Sequence, residues 1–225
     1  MMREKMLEMA KMQSKLNNYT NGENWRSGTT NKGKTINWHT AIALEGSELI
    51  DSTPWKHWKA ITGESDIDNI YIEAVDLYHF IQSQALITLT EEDLSDLVNS
   101  IFINNMQKTE FDFEKVNSYT KELMFYSLEA DFYVEKEYNL SGSLQAFSNI
   151  MKYSGLNFEL LYQLYIFKNA LNIFRQDNGY KEGTYSKDWN GKEDNVVLKE
   201  IKDNMQIVTF EALYTELEKA YKLVK

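Results

Sequence analysis

Ile70-Tyr71-Ile72-Glu73-Ala74-Val75-Asp76-Leu77-Tyr78-His79-Phe80-Ile81 decides the reading of this chain. Ile70, Val75, Leu77, Phe80 and Ile81 cover most of the circumference of a helix, so the segment from Asp66 to about Leu89 is expected at the centre of a bundle. Within that apolar surround sit two acids, Glu73 and Asp76, spaced i, i+3. Each residue advances about 100° around a helix, so the two carboxylates lie about 60° apart on one face. Burying such a pair without a counter-charge is costly.

One helix upstream the same spacing recurs in Glu45-Gly46-Ser47-Glu48. Its helix is expected over Trp38–Ser52, with Ile42, Leu44, Leu49 and Ile50 at helical spacing and Pro54 closing it. Two such faces packed together would gather four carboxylates, an arrangement that repels itself unless cations sit between them. Hard oxygen ligands favour Mg²⁺, or Mn²⁺, over zinc. Taken singly, each acid pair fits a solvated helix face equally well. Asp51 is rotated further from Glu45 and reads as a structural acid.

The remaining chain reads as helix and polar loop. A helix is expected to about Tyr19, a loop over Asn17–Lys34, and helix starts at Asp68 and at Thr90. Helices are further expected over Glu114–Tyr138, Ser143–Tyr153, Leu156–Gln176, Val196–Met205 and Thr209–Leu223, with a glycine-containing loop at Asn178–Asn195. One proline and ten glycines in 225 residues suit an all-α fold. We expect one domain over 1–225: a helical bundle with a metal site between core helices. Its core takes in about 1–89 and 156–225, and 90–155 forms a smaller helical insertion.

Bulk composition narrows the function classes. A net charge of −10 suits neither duplex nucleic acid nor anionic lipid. The absence of cysteine rules out thiolate chemistry and Cys-bound zinc, and fits a reducing, cytoplasmic setting. The first residues lack the apolar core of a signal peptide, and no apolar run reaches bilayer-spanning length.

Cations concentrate late in the chain. Lys168, Asn172 and Arg175 form an i, i+4, i+7 stripe, followed by a loop carrying Tyr180, Lys181, Lys187 and Lys192 among glycines. Such a loop can bring backbone N–H groups, bidentate Arg and Lys charge to phosphates; an ordinary surface loop is the alternative. Trp55-Lys56-His57-Trp58-Lys59 pairs flat rings with donors, suited either to walling a base or to core packing. His79 shares the face of Asp76 and fits a structural role as well as a functional one.

Together these segments resemble the dimeric all-α dUTPases, a branch of the all-α nucleoside triphosphate pyrophosphatases. The resemblance runs through Gln13 to Asn17, Asn21-Gly22-Glu23-Asn24-Trp25, Glu45 to Ser52, Trp55 to Lys59, Glu73 to Phe80, and Lys168 to Gln176 with the following Gly-Tyr-Lys loop. ExxE with ExxD belongs to the whole superfamily; the Trp-Lys-x-Trp-Lys and Asn-x-Phe-Arg-Gln-x-x-Gly-Tyr-Lys strings are specific to the dUTPase branch. The resemblance implies that Glu45, Glu48, Glu73 and Asp76 bind two or more Mg²⁺ ions and that Glu45 or Glu48 orients or deprotonates the attacking water. It implies uracil contacts for Gln13, Asn17, His57 and Asn172, with Phe80 against the ring, and a check of the deoxyribose 3′-hydroxyl by Asp76, His79 and Asn172. Lys59, Lys168, Arg175, Tyr180, Lys181, Lys187 and Lys192 would hold phosphates, some across the subunit boundary of a homodimer. His57 stands where some relatives place another aromatic. The implied reaction is hydrolysis of dUTP, and of dUDP, to dUMP. Alternatives are a related pyrophosphatase acting on dCTP or another nucleotide, and a non-catalytic helical binding protein. A ferritin-like oxidase wants two Glu-x-x-His pairs, and this chain offers only Asp76-x-x-His79.

Overall fold

The computed structural model describes residues 2–59, 63–103, 110–133, 137–205 and 209–224. Among them the regular structure is almost entirely helical: α1 (Met2–Asn21), α2 (Trp38–Asp51), α3 (Ile67–Ala85), α4 (Glu91–Phe102), α5 (Phe113–Phe132), α6 (Leu140–Ser154), α7 (Phe158–Asp177), α8 (Asp194–Asn204) and α9 (Phe210–Tyr221). A two-stranded hairpin, β1 (Asp188–Trp189) and β2 (Lys192–Glu193), precedes α8. No helix among the described residues is long and apolar enough to cross a membrane.

The chain forms two compact units, Met1–Leu161 and Tyr162–Lys225, with the division falling inside α7. In the first unit, α2 packs on α3 and α5, α5 on α6, α1 on α3 and α4, and α6 on α3 and α4. The centre is α3, as its all-round apolarity requires: Ile70, Ala74, Val75, Leu77, Tyr78 and Ile81 are all buried. Tyr78 stacks on Phe147 of α6 with centroids 5.0 Å apart. α2 and α5 close tightly at Gly46, where a Cβ would stand 2.6 Å from Met124 Cγ. The second unit is built around Phe167, Leu171, Phe174, Trp189, Leu198, Leu213 and Leu217.

Short polar side chains start these helices by accepting first-turn N–H groups. Asn37 accepts from Thr40, Thr90 from Asp93, Asp112 from Lys115 and Asn139 from Gly142. At α3 the cap is Asp66, accepting from the Asn69 N–H, rather than Asp68. Asp68 instead sits in the first turn, where a negative charge suits the helix dipole.

Other boundaries shift for local reasons. α1 runs on to Asn21, and part of the expected loop is a 3-10 turn at Trp25–Ser27. Trp25 is buried there and donates its indole N–H to Asn18 Oδ1 at 2.7 Å, an anchor that no helical periodicity signals. α5 stops at Phe132 rather than Tyr138, and residues 134–136 of that expected helix lie outside the described residues. The hairpin interrupts the expected loop because Asn190 (φ 57°) and Gly191 (φ 85°) make a turn with two successive positive φ angles, the geometry a two-residue hairpin needs.

Candidate functional site

The two acid-bearing helices meet as their spacing requires. Glu45 of α2 and Glu73 and Asp76 of α3 each offer an oxygen, all within 4.8 Å of one another. Glu73 is buried, while Glu45 and Asp76 are half-buried. Burial and the neighbouring carboxylates of Asp76, Glu73 and Glu48 push the Glu45 carboxyl up from 4.5 to about 8, and it hydrogen-bonds Glu73. Without a cation, the cluster therefore relieves its repulsion by keeping a proton. Glu48 lies outside the trio, exposed, but near enough to act on Glu45.

A cavity of about 530 Å³ adjoins Glu73, lined also by Glu48, Asp51, Lys56, Lys59 and Asn69. Two residues of its lining are joined by Asn69 donating to Ser52 Oγ at 2.7 Å. Asp51, expected to be structural, pairs with Lys56 and accepts the Trp55 indole N–H at 3.2 Å. These partners hold its carboxyl below the ordinary range. Trp55 and Trp58 meet edge to face at 5.2 Å and are 40% and 62% exposed, so this aromatic pair is not core packing. His57 lies edge-on to Trp58 in the same exposed turn.

Gln13, Asn17 and His79 come together as a buried polar network between α1 and α3. Gln13 Oε1 lies 2.6 Å from His79 Nδ1, and Gln13 Nε2 donates to Asn17 Oδ1 at 3.0 Å and to Ser83 Oγ at 2.8 Å. Asn17 Nδ2 donates to the same hydroxyl at 3.1 Å. Ser83 was not among the expected site residues; its only sequence signal is a place one turn after His79, on the same face. Phe80 is half-buried against Trp38, with centroids 6.0 Å apart.

In the second unit, Lys168 and Arg175 are buried along α7 and Asn172 is half-buried. Lys168 Nζ donates to Asn195 Oδ1 at 3.2 Å. Arg175 donates to Asp194 at 2.8 and 2.7 Å, and to Asn172 Oδ1 at 3.4 Å. Tyr180 receives two cations on its ring, Arg175 at 5.9 Å and Lys187 at 5.6 Å. Lys181 is exposed, and Lys192 is paired with Glu200 at 2.6 Å. Asp194 and Tyr185, which sequence reasoning passed over, complete this network: Tyr185 donates its hydroxyl to Asp194 Oδ2 at 2.8 Å.

A search of curated proteins finds no match to the chain. A family model described as dUTPase matches residues 5–180, a span that contains the acidic trio, the Gln13–Asn17–His79 network and Arg175. The chain thus belongs to the dUTPase family, in an all-α form, and its activity is the hydrolysis of dUTP.

Proposed function

We propose that dUTP is hydrolysed to dUMP and pyrophosphate at Mg²⁺ held by Glu45, Glu73 and Asp76, with Glu48 completing the ligand set. The gathering of three carboxylates within 4.8 Å, one buried and two half-buried, is the main support for this reading. The donor set is all oxygen, as Mg²⁺ or Mn²⁺ prefers. The elevated Glu45 carboxyl marks a cluster that lacks positive charge. Bound there, divalent cations neutralise phosphate oxygens and acidify water. The chain's own work is to fix the reactants. Glu45 or Glu48 orients the attacking water and accepts its proton. Lys59, on the cavity wall, supplies positive charge to a phosphate.

The side-chain amides of Gln13 and Asn17 have the mixed donor and acceptor character that uracil's N3–H and carbonyls demand, and we assign them to the base. His57 and Asn172 join them there, with Phe80 against the ring. His79, Asp76 and Asn172 check the 3′-hydroxyl. Lys168, Arg175, Tyr180, Lys181, Lys187 and Lys192 take phosphates. The resemblance further supports use of dUDP, a homodimer and a cytoplasmic setting. Phe125, Leu128 and Phe132 support the dimer: they form one i, i+3, i+7 stripe on α5 and are 57%, 44% and 80% exposed, the kind of patch a monomer rarely leaves to water.

The test is turnover of dUTP, dUDP, dCTP and dTTP with and without Mg²⁺, for wild type and Glu73→Ala. The proposal expects dUTP and dUDP turnover that needs both the ion and Glu73. Undiminished dUTP turnover in chelator, or in Glu73→Ala, would overturn it.

A further inference from the structure

Arg175 lies within the part of the chain that matches the family, but Asp194, the carboxylate that pairs with it, does not. The match ends at residue 180. Asp194, the first residue of α8, is 1% exposed and accepts from Arg175 Nε at 2.8 Å and Nη2 at 2.7 Å. This two-point pairing fixes the guanidinium plane, which a single hydrogen bond would not. Tyr185 adds a third bond to the same carboxylate at 2.8 Å. The next residue, Asn195, accepts from Lys168 at 3.2 Å. The first two residues of α8 therefore each hold one cation of the α7 stripe.

Further bonds anchor the holders. The Asp194 N–H donates to Lys187 O at 2.9 Å, and the Tyr185 ring stacks on Tyr221 of α9 at 5.3 Å. Desolvating two charges largely offsets their attraction, so a buried ion pair adds little stability over apolar packing. What it does fix is direction. Asp194 and Tyr185 engage the Nε and Nη2 side of Arg175, and the Nη1 side is turned toward Asn172, at 3.4 Å.

We propose that Asp194 and Tyr185 are positioning residues that aim the Arg175 guanidinium at a nucleotide phosphate, so that the chain beyond the family match sets the grip of a residue within it. The inference rests on the assignment of Arg175 to phosphate made above. Asp194 is almost wholly buried, so its route to substrate runs through Arg175.

The test is steady-state kinetics on dUTP for Asp194→Asn, Asp194→Glu, Tyr185→Phe, Arg175→Ala and the double variant Arg175→Ala/Tyr185→Phe, each checked for folding by thermal melting. Asp194→Asn is expected to raise KM about tenfold with kcat within about threefold, and Tyr185→Phe to raise KM about threefold. Asp194→Glu should recover part of the loss, and Tyr185→Phe should have no further effect once Arg175 is alanine. If Arg175→Ala raises KM while Tyr185→Phe and a folded Asp194→Asn leave it within about twofold, the positioning role is wrong and the phosphate assignment stands. If Arg175→Ala leaves KM unchanged, the assignment itself fails and the inference with it. Should Asp194→Asn not fold, Tyr185→Phe and the double variant decide by the same criteria.

Discussion

Replacing Glu45 by Gln should stabilise the metal-free protein at high pH while weakening its response to Mg²⁺. Glu45 sits with Glu73 and Asp76 inside a 4.8 Å circle of oxygens. Two unit charges at that separation repel by about 3.5 kcal/mol at an effective dielectric of about 20. The titration gives a similar scale. At about 1.4 kcal/mol per pKa step, the rise from 4.5 to about 8 is worth about 5 kcal/mol, and solvent screening of a half-buried group reduces this to about 2–3 kcal/mol. The folded pKa lies above the unfolded one, so this contribution is complete below pH 4.5 and is lost as pH climbs through about 8. Glu45→Gln removes the charge at every pH. In EDTA at pH 9 its melting temperature should exceed wild type by about 5–10 °C for a protein of this size, and at pH 5 the two should nearly coincide. Adding Mg²⁺ at pH 8.5 should raise the wild-type melting temperature more than the variant's. Equal melting of both proteins in EDTA at pH 9 would refute the reasoning, because it would mean that the three acids are solvated separately.

Two further substitutions probe the surroundings of the site. Gly46→Val should destabilise by about 2–3 kcal/mol, since even a Cβ there would come within 2.8 Å of Met124 Sδ; chemical denaturation would show it, and an unchanged midpoint would contradict the close α2–α5 contact. Ser83→Ala should cost about 1–3 kcal/mol by removing the shared acceptor of Gln13 and Asn17, and should raise KM for dUTP; a normal KM would separate this network from base recognition.

The acidic faces were legible because their signal is local. Glu45 with Glu48 and Glu73 with Asp76 declare shared faces by spacing alone, and the apolarity around Glu73 declares burial. Only three of the four come within 4.8 Å, since Glu48 turns toward solvent and the cavity, a difference that depends on how α2 is rotated against α3. The Gln13–Asn17–His79 network was reachable through the family resemblance, but Ser83 joins it across 66 and 70 residues of sequence, and serine in a helix carries no periodic signal of its own. Asp194 was illegible for a similar reason. It opens α8 as one more acid after a polar loop, and only the return of that loop onto α7 makes it the partner of Arg175. The hairpin had a sequence signal in Asn190-Gly191, but two-residue strands are too short to show alternation.

Whether Glu45, Glu73 and Asp76 hold the metal can be read from crystals grown with Mn²⁺ and a non-hydrolysable dUTP analogue, by anomalous scattering. Anomalous peaks are expected among oxygens of Glu45, Glu73 and Asp76 and the analogue's phosphates. Carboxylates of these three residues turned into bulk solvent, with no peak among them, would contradict the metal assignment.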